Sequence, residues 1–216
     1  MPLTRFLSRW LRRNKDEREN KAEAGQEPPV GDAERLSDNL SPSLSALAEL
    51  VRIIANPLDE ATREGLITYV SDAETDDASS LLDWVLTRDA SAPEAIDRSC
   101  WCLCISVDWR ASYDIERQAN ELLRTLGISE RWTWSSVGDV SATLLSFGEW
   151  LSRRDYALLH LDTGHDEYTA FAVRQDDVEK ALTLSNAAGA AVLTDEGFRA
   201  GNIYVLPGHR ADDRRD

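Results

Sequence analysis

The stretch YALLHLDTGHDEYTAFAV, residues 156–173, decides the fold expected for the second half of the chain. It consists of two runs rich in apolar residues on either side of the polar link Thr-Gly-His-Asp. In the first run, the two-residue period of a strand puts Leu159 and Leu161 on one face and His160 and Asp162 on the other. The link is typical of a turn, because glycine supplies a positive φ and the Thr and Asp side chains hydrogen-bond nearby backbone. The stretch therefore predicts two antiparallel strands joined as a β-hairpin.

Apolar periodicity on both sides of the hairpin predicts the remaining elements. Upstream, WCLCISVDW alternates bulky and small side chains, as strands do, and two stretches with apolar residues at helical spacing follow it. Downstream, a helix ending near Gly189 precedes two further strands, AAVLT and NIYVLP. The expected elements are a strand at 101–109, helices near 115–126 and 140–151, the hairpin, a helix near 178–189, and strands at 190–194 and 202–207.

Residues 93–208 are predicted to form an α+β domain. With the extra helix and the last strand set aside, the order of elements is βαββαβ, which forms a two-layer sandwich with helices on one face of the sheet. A mixed three-layer α/β sheet is the competing arrangement. Alternation along the strands favours two layers, because strands buried on both faces are apolar throughout. On this assignment Ile105 and Val107 face the helices together with Leu159 and Leu161, and the opposite face is open.

The first part of the chain divides into a helical region and the segment before it. Residues 42–92 carry apolar residues at helical spacing, with Ser43 placed to cap the first of three helices and Pro57 placed to end it. Residues 16–41 are charged, poor in large apolar residues and interrupted by two prolines, so they predict a disordered linker. At the other end of the chain, residues 209–216 are expected to form a tail.

Residues 1–15 hold five basic residues and no acidic one. Five apolar residues recur with the spacing of one helix face and the arginines fall opposite, which predicts a basic amphipathic helix. Such a helix can lie in a membrane interface, so residues 3–13 are candidates for weak, reversible contact with anionic lipids. A flexible tail and a helix that docks on a partner protein are the alternatives. The expected membrane-contact residues are Phe6, Arg9, Trp10 and Arg13.

Charge and cysteine usage restrict the partners and the compartment. Because the whole chain carries −15 and residues 1–15 carry +5, the other 201 residues carry −20. A body this acidic repels nucleic-acid phosphates, so the sequence disfavours nucleic acid and favours a basic protein partner. Three cysteines without a fourth suit a reducing compartment, and no apolar run resembles a signal peptide or a membrane span. The sequence predicts a cytoplasmic protein, or one held peripherally at the inner face of the membrane.

Several short motifs resemble a known family. They are Asp108-Trp109 at the end of the first predicted strand, Asp-Ile-Glu at 114–116, and LDTGHDEYTAFAV at 161–173 leading into Asp-Asp-Val-Glu at 176–179. On these motifs, over roughly residues 100–192, the chain resembles an uncharacterised family of bacterial proteins of unknown function. The hairpin of that family usually reads like LDTDSDSY, and Gly164 and His165 depart from it. The resemblance implies no catalytic residue, and it weakens any functional interpretation of His165.

Four polar residues near the predicted strand ends are candidate acid–base groups or metal ligands: Asp108, His160, Asp162 and His165. On the expected open face, His160 and Asp162 would lie beside Ser106, Asp108 and the cysteines of the first strand. There an imidazole could act as base or ligand with carboxylates orienting it, as in a small metal-dependent or acid–base hydrolase. The same residues also suit a polar strand end and a solvated turn. The chain has no HExxH, Walker A, GxSxG or GxGxxG motif to favour the enzyme.

Cys100, Cys102 and Cys104 alternate along the first predicted strand. The outer two would lie about 13 Å apart on a regular strand, so all three cannot reach one Zn²⁺ ion through bonds of about 2.3 Å. Small, buried, reduced thiols account for the pattern. The sequence therefore predicts no metal site and no cofactor.

Trp109, Trp132 and Trp134 are candidate binding residues, since tryptophans on loops can form a recognition surface. Tryptophans are also commonly buried, so packing over the core is the alternative role. Taken with the charge distribution and the absence of a catalytic motif, the sequence favours a non-enzymatic, acidic, cytoplasmic binding or regulatory module. The alternative is the hydrolase built on the four polar residues named above.

Overall fold

The computed structural model describes residues 41–75, 77–87, 101–134 and 139–202. The predicted amphipathic helix at 1–15 lies outside these residues, as does the predicted linker apart from Ser41. Cys100, all but the first residue of the predicted last strand, and the tail at 209–216 also lie outside them.

Three helices precede the sheet, and a polar side chain caps the start of each. They are α1 Pro42–Ile54, α2 Glu60–Ser71 and α3 Ala78–Thr87. The α1 cap is Ser41, and the expected Ser43 lies inside the helix; the Leu44 N–H donates to Ser41 Oγ at 3.3 Å. Asp59 and Asp77 accept the corresponding N–H bonds for α2 and α3, each at 3.0 Å. These bonds satisfy backbone donors that have no partner within the helix.

The hairpin forms the centre of a four-stranded antiparallel sheet. The strands are β1 Cys104–Asp108, β2 Tyr156–Leu161, β3 Glu167–Arg174 and β4 Val192–Thr194. Their order in the sheet is β1-β3-β2-β4, and the hairpin strands β2 and β3 pair antiparallel, as the sequence predicts. The remaining helices are α4 Ser112–Thr125, α5 Val140–Ser152, α6 Val178–Ala188 and α7 Asp195–Asn202. The α+β class is confirmed, and the order of elements from β1 to β4 follows the prediction.

Helices cover both faces of the sheet, which differs from the expected two-layer sandwich. On one face Leu159, Leu161 and Phe171 pack with α1, α2, α3 and α6. On the other face Ile105 and Leu158 pack with α4, α5 and α7. The physical reason is that the hairpin strands carry apolar residues on both faces, so each face needs a helical layer to bury it. The apparent alternation in β2 came from one buried histidine within an apolar run.

The expected face of β1 is also corrected by the strand pairing. Ile105 lies opposite Ala170 of β3, which in turn lies opposite His160 of β2, so Ile105 and His160 share a face. Cys104 lies opposite Phe171 and shares the other face with Leu159. The cysteine and His160 therefore do not share a surface, contrary to the expectation. The faces of β1 and β2 are related only by the register of each strand with β3. Because periodicity within one strand does not specify that register, the shared face could not be predicted.

The outer edge of β1 is blocked by a glutamine side chain from α4. Gln118 accepts the Ser106 N–H at Oε1 (2.8 Å), and its Nε2 donates to the Ser106 carbonyl at 2.9 Å. The amide thus occupies the backbone groups that another strand would use. Asp114 accepts a further bond from Gln118 Nε2 at 2.8 Å and holds the amide in place. This contact protects an exposed edge from pairing with another chain.

The chain continues from β4 directly into α7, a helix that was not among the predicted elements. The Gly197 N–H donates to Thr194 Oγ1 at 3.3 Å, and two acidic residues, Asp195 and Glu196, occupy the first helical turn. Both features favour a helix start. The predicted last strand overlaps this helix at Asn202. No helix within the described ranges combines the length and apolar character needed to cross a bilayer.

Candidate functional site

A cleft of about 580 Å³ lies where the hairpin link meets β4 and α7. Trp109, from the loop after β1, contributes to one wall. The hairpin contributes His160 at the end of β2, several residues of the link, and Tyr168 at the start of β3. Leu193 of β4 and Phe198 of α7 complete the lining. The buried residues His160, Thr169 and Phe198 anchor this cleft in the core, and the exposed link and Trp109 form its outer part.

The hairpin link together with the residue on either side of it, residues 162–167 and called the link from here on, supplies most of the charge in the cleft. Gly164 has φ +70, and its N–H donates to Asp162 Oδ1 at 2.9 Å, which is the turn chemistry expected from the sequence. The exposed carboxylates of Asp162, Asp166 and Glu167 all contribute to the lining, as does the exposed His165. A tight turn therefore presents three acidic side chains at one cleft.

Trp109 is half exposed, with 51% of its surface accessible. The turn that carries it is fixed by Asp108, whose Oδ1 accepts the Arg110 N–H at 2.9 Å and whose carbonyl accepts the Ala111 N–H at 2.8 Å. The guanidinium carbon of Arg110 lies over the Trp109 ring, 4.1 Å from its centroid. A large aromatic ring is thus held at the cleft by backbone geometry, with a cation resting on it.

His160 is buried in the cleft wall, with 3% of its surface accessible. Its Nε2 lies 2.7 Å from Asp195 Oδ1, and its ring stacks on Phe198 with centroids 3.8 Å apart. Since the carboxylate accepts a hydrogen bond there, Nε2 carries the proton, and in the neutral ring Nδ1 is an acceptor. Nδ1 is buried and has no hydrogen-bond partner among the described residues. The wall therefore contains an unused polar group.

Gly148 of α5 makes room for the Asp195 carboxylate. A Cβ atom at position 148 would overlap the Asp195 side chain, with Asp195 Oδ1 and the carboxyl carbon each 3.0 Å away. This close approach lets the first turn of α7 pack on α5 while Asp195 reaches His160. The glycine is therefore part of the support of the cleft wall.

The other side of the wall is supported by α3. Thr169 of β3 lines the cleft and donates from Oγ1 to Asp83 of α3 at 2.9 Å. The Ala191 N–H, just before β4, donates to Ser79 Oγ of the same helix at 3.1 Å. The N-terminal helical region thus holds two of the segments that form the cleft.

The structure brings three of the four candidate polar residues together. His160, Asp162 and His165 line the same cleft, whereas Asp108 does not, and its carboxylate bonds the turn after β1. Asp162 is likewise bonded to its own turn, and Nε2 of His160 is bonded to Asp195. Within the described part of the chain, no group of three or more His, Cys, Asp or Glu side chains is placed to hold a metal ion.

Of the three candidate tryptophans, Trp109 reaches the cleft. Trp132 is 3% exposed and packs in the core beside Phe147, with ring centroids 5.1 Å apart. Trp134 stacks on Trp132 at 5.8 Å, and its backbone N–H donates to Glu116 at 3.0 Å. Trp132 and Trp134 therefore fix the loop after α4 to the core.

The two cysteines within the described residues are free thiols. Burial raises the pKa of Cys102 to about 11, and burial also raises the pKa of Cys104 well above its ordinary value. The Cys102 thiol donates to the Cys104 carbonyl at 3.0 Å. A thiol with a raised pKa is a weak nucleophile at neutral pH, so both cysteines are better suited to packing than to nucleophilic chemistry.

Asp195, Phe198 and Gly148 were not found by sequence reasoning. The signal for α7 was present, since threonine followed by two acidic residues is a helix start. The contact between Asp195 and His160 had no local signal, because it joins residues 35 positions apart.

These features define an α+β protein with a four-stranded antiparallel sheet between two layers of helices and an acidic, aromatic cleft at the hairpin link. The chain belongs to the family described as domain of unknown function DUF6630, whose model matches residues 32–195. The expected membership of an uncharacterised family is confirmed, and the match extends through the N-terminal helices. Searches of the curated proteins and of the solved structures found no match.

Proposed function

We propose that the protein is a non-enzymatic binding module that takes a basic segment of a partner protein into the cleft. The observation that carries this proposal is the combination of three exposed carboxylates with a half-exposed tryptophan around a single cleft. Carboxylates attract cations, and an exposed aromatic ring offers both apolar area and a cation–π surface. The cleft volume of about 580 Å³ lies within the usual range for ligand sites.

The charge of the whole chain supports a basic partner. A net charge of −15 favours encounter with cations over long range and opposes binding to nucleic acid. The three carboxylates then concentrate that preference at one place. Of the cleft histidines, His165 is exposed and His160 is paired with a carboxylate.

The compartment and the N-terminal segment are part of the same proposal. We place the protein in the bacterial cytoplasm, with residues 3–13 making weak, salt-sensitive contact with anionic lipids at the inner membrane face. Sedimentation with anionic liposomes should be greater for the full chain than for a version lacking residues 1–15. Equal sedimentation of both would leave the segment with a protein-docking role or none.

A hydrolase is the second candidate, and the pair formed by His160 and Asp195 favours it, because a carboxylate that orients an imidazole is a common acid–base arrangement. The burial of Nδ1 and the engagement of Nε2 by Asp195 weigh against a reacting group. Turnover of ester, phosphate or glycoside substrates that disappears in His160→Gln would establish the enzyme in place of the binding module.

The experiment for the proposed function measures binding of a short labelled peptide containing arginine and lysine, by fluorescence anisotropy with the full-length protein. Asp166→Asn with Glu167→Gln should weaken binding by about three- to tenfold, as expected for two partly screened charge pairs. The matched control is Asp176→Asn with Asp177→Asn, an adjacent acidic pair on the short 3₁₀ helix Gln175–Asp177, which is not part of the cleft.

The control should weaken binding by less than about twofold, because it removes the same charge away from the cleft. Equal weakening by the two double variants would assign the effect to net charge alone. No weakening by the cleft variant would remove the cleft as the binding site.

A further inference from the structure

Resting on the proposed function, we infer that the cleft recognises a guanidinium group, that is, an arginine side chain of the basic partner. We further infer that Arg110 of the chain itself is an intramolecular substitute that competes with the partner for Trp109. Two guanidinium–tryptophan contacts within the molecule and the exposed carboxylates beside Trp109 in the cleft carry this inference.

The first contact shows that the Trp109 ring accepts a guanidinium group. The Arg110 guanidinium carbon lies 4.1 Å from the centroid of Trp109, whose ring both lines the cleft and is half exposed. Planar guanidinium groups stack on aromatic rings. Because they are weakly hydrated, their removal from water costs less free energy than removal of an ammonium group. Arg110 makes no ion pair with any described residue, so its guanidinium has no carboxylate partner among them.

The second contact shows the completed arrangement elsewhere in the same molecule. The Arg154 guanidinium carbon lies 3.3 Å from the Trp150 ring centroid, and its nitrogens form two bonds to the Glu130 carboxylate at 2.9 and 3.1 Å. Here a guanidinium has both a ring beneath it and a carboxylate fork beside it. The cleft offers the same two components, Trp109 and the carboxylates of the hairpin link. A partner arginine in the cleft would have access to both, whereas Arg110 uses the ring alone.

The cleft also favours a ligand rich in donors. The exposed carboxylates of Asp162, Asp166 and Glu167 are all hydrogen-bond acceptors. A guanidinium carries five N–H donors and no acceptor, so its polarity matches each of these groups.

Three results are expected when the full-length protein is titrated with two labelled peptides, one containing arginine where the other contains lysine. The wild-type chain should bind the arginine peptide about three- to tenfold more tightly, because the ring adds a stacking interaction that lysine makes less well. Arg110→Ala should tighten binding of the arginine peptide by about twofold or more, because the ring face becomes available. The affinity of Arg110→Lys, which keeps the charge, for the arginine peptide should lie between the affinities of the wild-type chain and Arg110→Ala.

The control for charge is Arg174→Ala. Arg174 is also exposed and also lies over an aromatic ring, 5.1 Å from the Tyr156 centroid, but Tyr156, unlike Trp109, does not line the cleft. Arg174→Ala should change affinity for the arginine peptide much less than Arg110→Ala does. Equal tightening by the two variants would overturn competition by Arg110 and leave a net-charge effect.

Trp109→Ala separates this inference from the proposed function. It should reduce the preference for arginine over lysine to near parity and abolish the gain from Arg110→Ala. One outcome would refute guanidinium recognition alone. In it, both peptides bind and the variants of Asp166 and Glu167 weaken both, but Trp109→Ala leaves the ratio of the two affinities unchanged. The acidic binding site would then still hold. If neither peptide binds, the proposed function fails. Thermal unfolding of each variant verifies that these exposed substitutions leave the fold intact.

Discussion

His160 and His165 lie at the two ends of one short segment and have opposite environments. His160 is 3% exposed, stacks on Phe198 and bonds to Asp195, whereas His165 is exposed in the hairpin link. Both line the same cleft. The sequence placed both in one polar cluster of candidates, although the family resemblance weakened the case for His165. The structure separates them by what packs against each one.

The difference shows that tertiary partners, more than local sequence, set the role of a polar residue near a strand end. His160 is covered because β4 pairs with β2 in the sheet, and α7, which follows β4 in the chain, brings Phe198 and Asp195 over the imidazole. His165 has no such cover, because a turn at the end of a hairpin extends beyond the helices. The acidic residues of the link are available to a ligand for the same reason.

The largest effects are expected when a buried side chain of the sheet region is truncated, whether His160 or an apolar neighbour. His160→Ala should lower the free energy of unfolding by about 2–4 kcal/mol, because it empties a buried position and deletes both the stacking and the bond to Asp195. Ile105→Ala, on the same sheet face, should cost about 2–5 kcal/mol as a pure core truncation, and so should Leu103→Ala. Urea unfolding of the three variants measures these values. A loss below about 0.5 kcal/mol for His160→Ala would place it with surface residues and remove the contrast.

A smaller effect is expected at Gly148, which supports His160 indirectly. Gly148→Ala should destabilise the protein by about 1–2 kcal/mol, because the new methyl group displaces the Asp195 carboxylate, and the better helix propensity of alanine offsets part of that cost. The histidine ring should then lose its carboxylate partner. The NMR signals of the His160 imidazole would report that loss directly.

Gly65→Ala is the matched control, since Gly65 lies within α2 and a Cβ atom there would meet nothing within 4 Å. The same substitution should stabilise the protein by about 0.4–1 kcal/mol, through helix propensity and a less flexible unfolded chain. If glycine-to-alanine lowers the stability at position 148 and raises it at position 65, the loss of stability at 148 is due to crowding at Asp195. Stabilisation by both would show that α7 moves aside without cost.

Much of the fold follows from the sequence because its signals are local. The hairpin, the order of elements and the α+β class depend on periodicity and turn residues within a few positions of each other. The helical layer on each face could not be read in the same way. Whether a strand is central or at an edge depends on which strands pair, and β2 is central because β4 returns to pair with it. Edge protection by Gln118 likewise depends on α4 packing beside β1.

The cleft was predictable in part. The acidic hairpin link and Trp109 could be identified because turn chemistry and strand ends mark them in the sequence. The contribution of α7 could not, since Asp195 and Phe198 follow a strand of only three residues and meet His160 across the sheet. Trp132 and Trp134 carried the same signal as Trp109, and only the packing around Phe147 assigns Trp132 to the core.

The smallest effect is expected at His165. His165→Ala should change the free energy of unfolding by less than about 0.5 kcal/mol, because the side chain is exposed and no described hydrogen bond or ion pair depends on it. Gly164→Ala in the same link should cost more, about 1 kcal/mol or above, since its φ of +70 is unfavourable for any residue with a Cβ atom. Together the two variants test whether the link acts through its backbone or through the imidazole. A loss at His165 equal to that at His160 would mean that the two histidines share one structural role, and the contrast between wall and link would no longer hold.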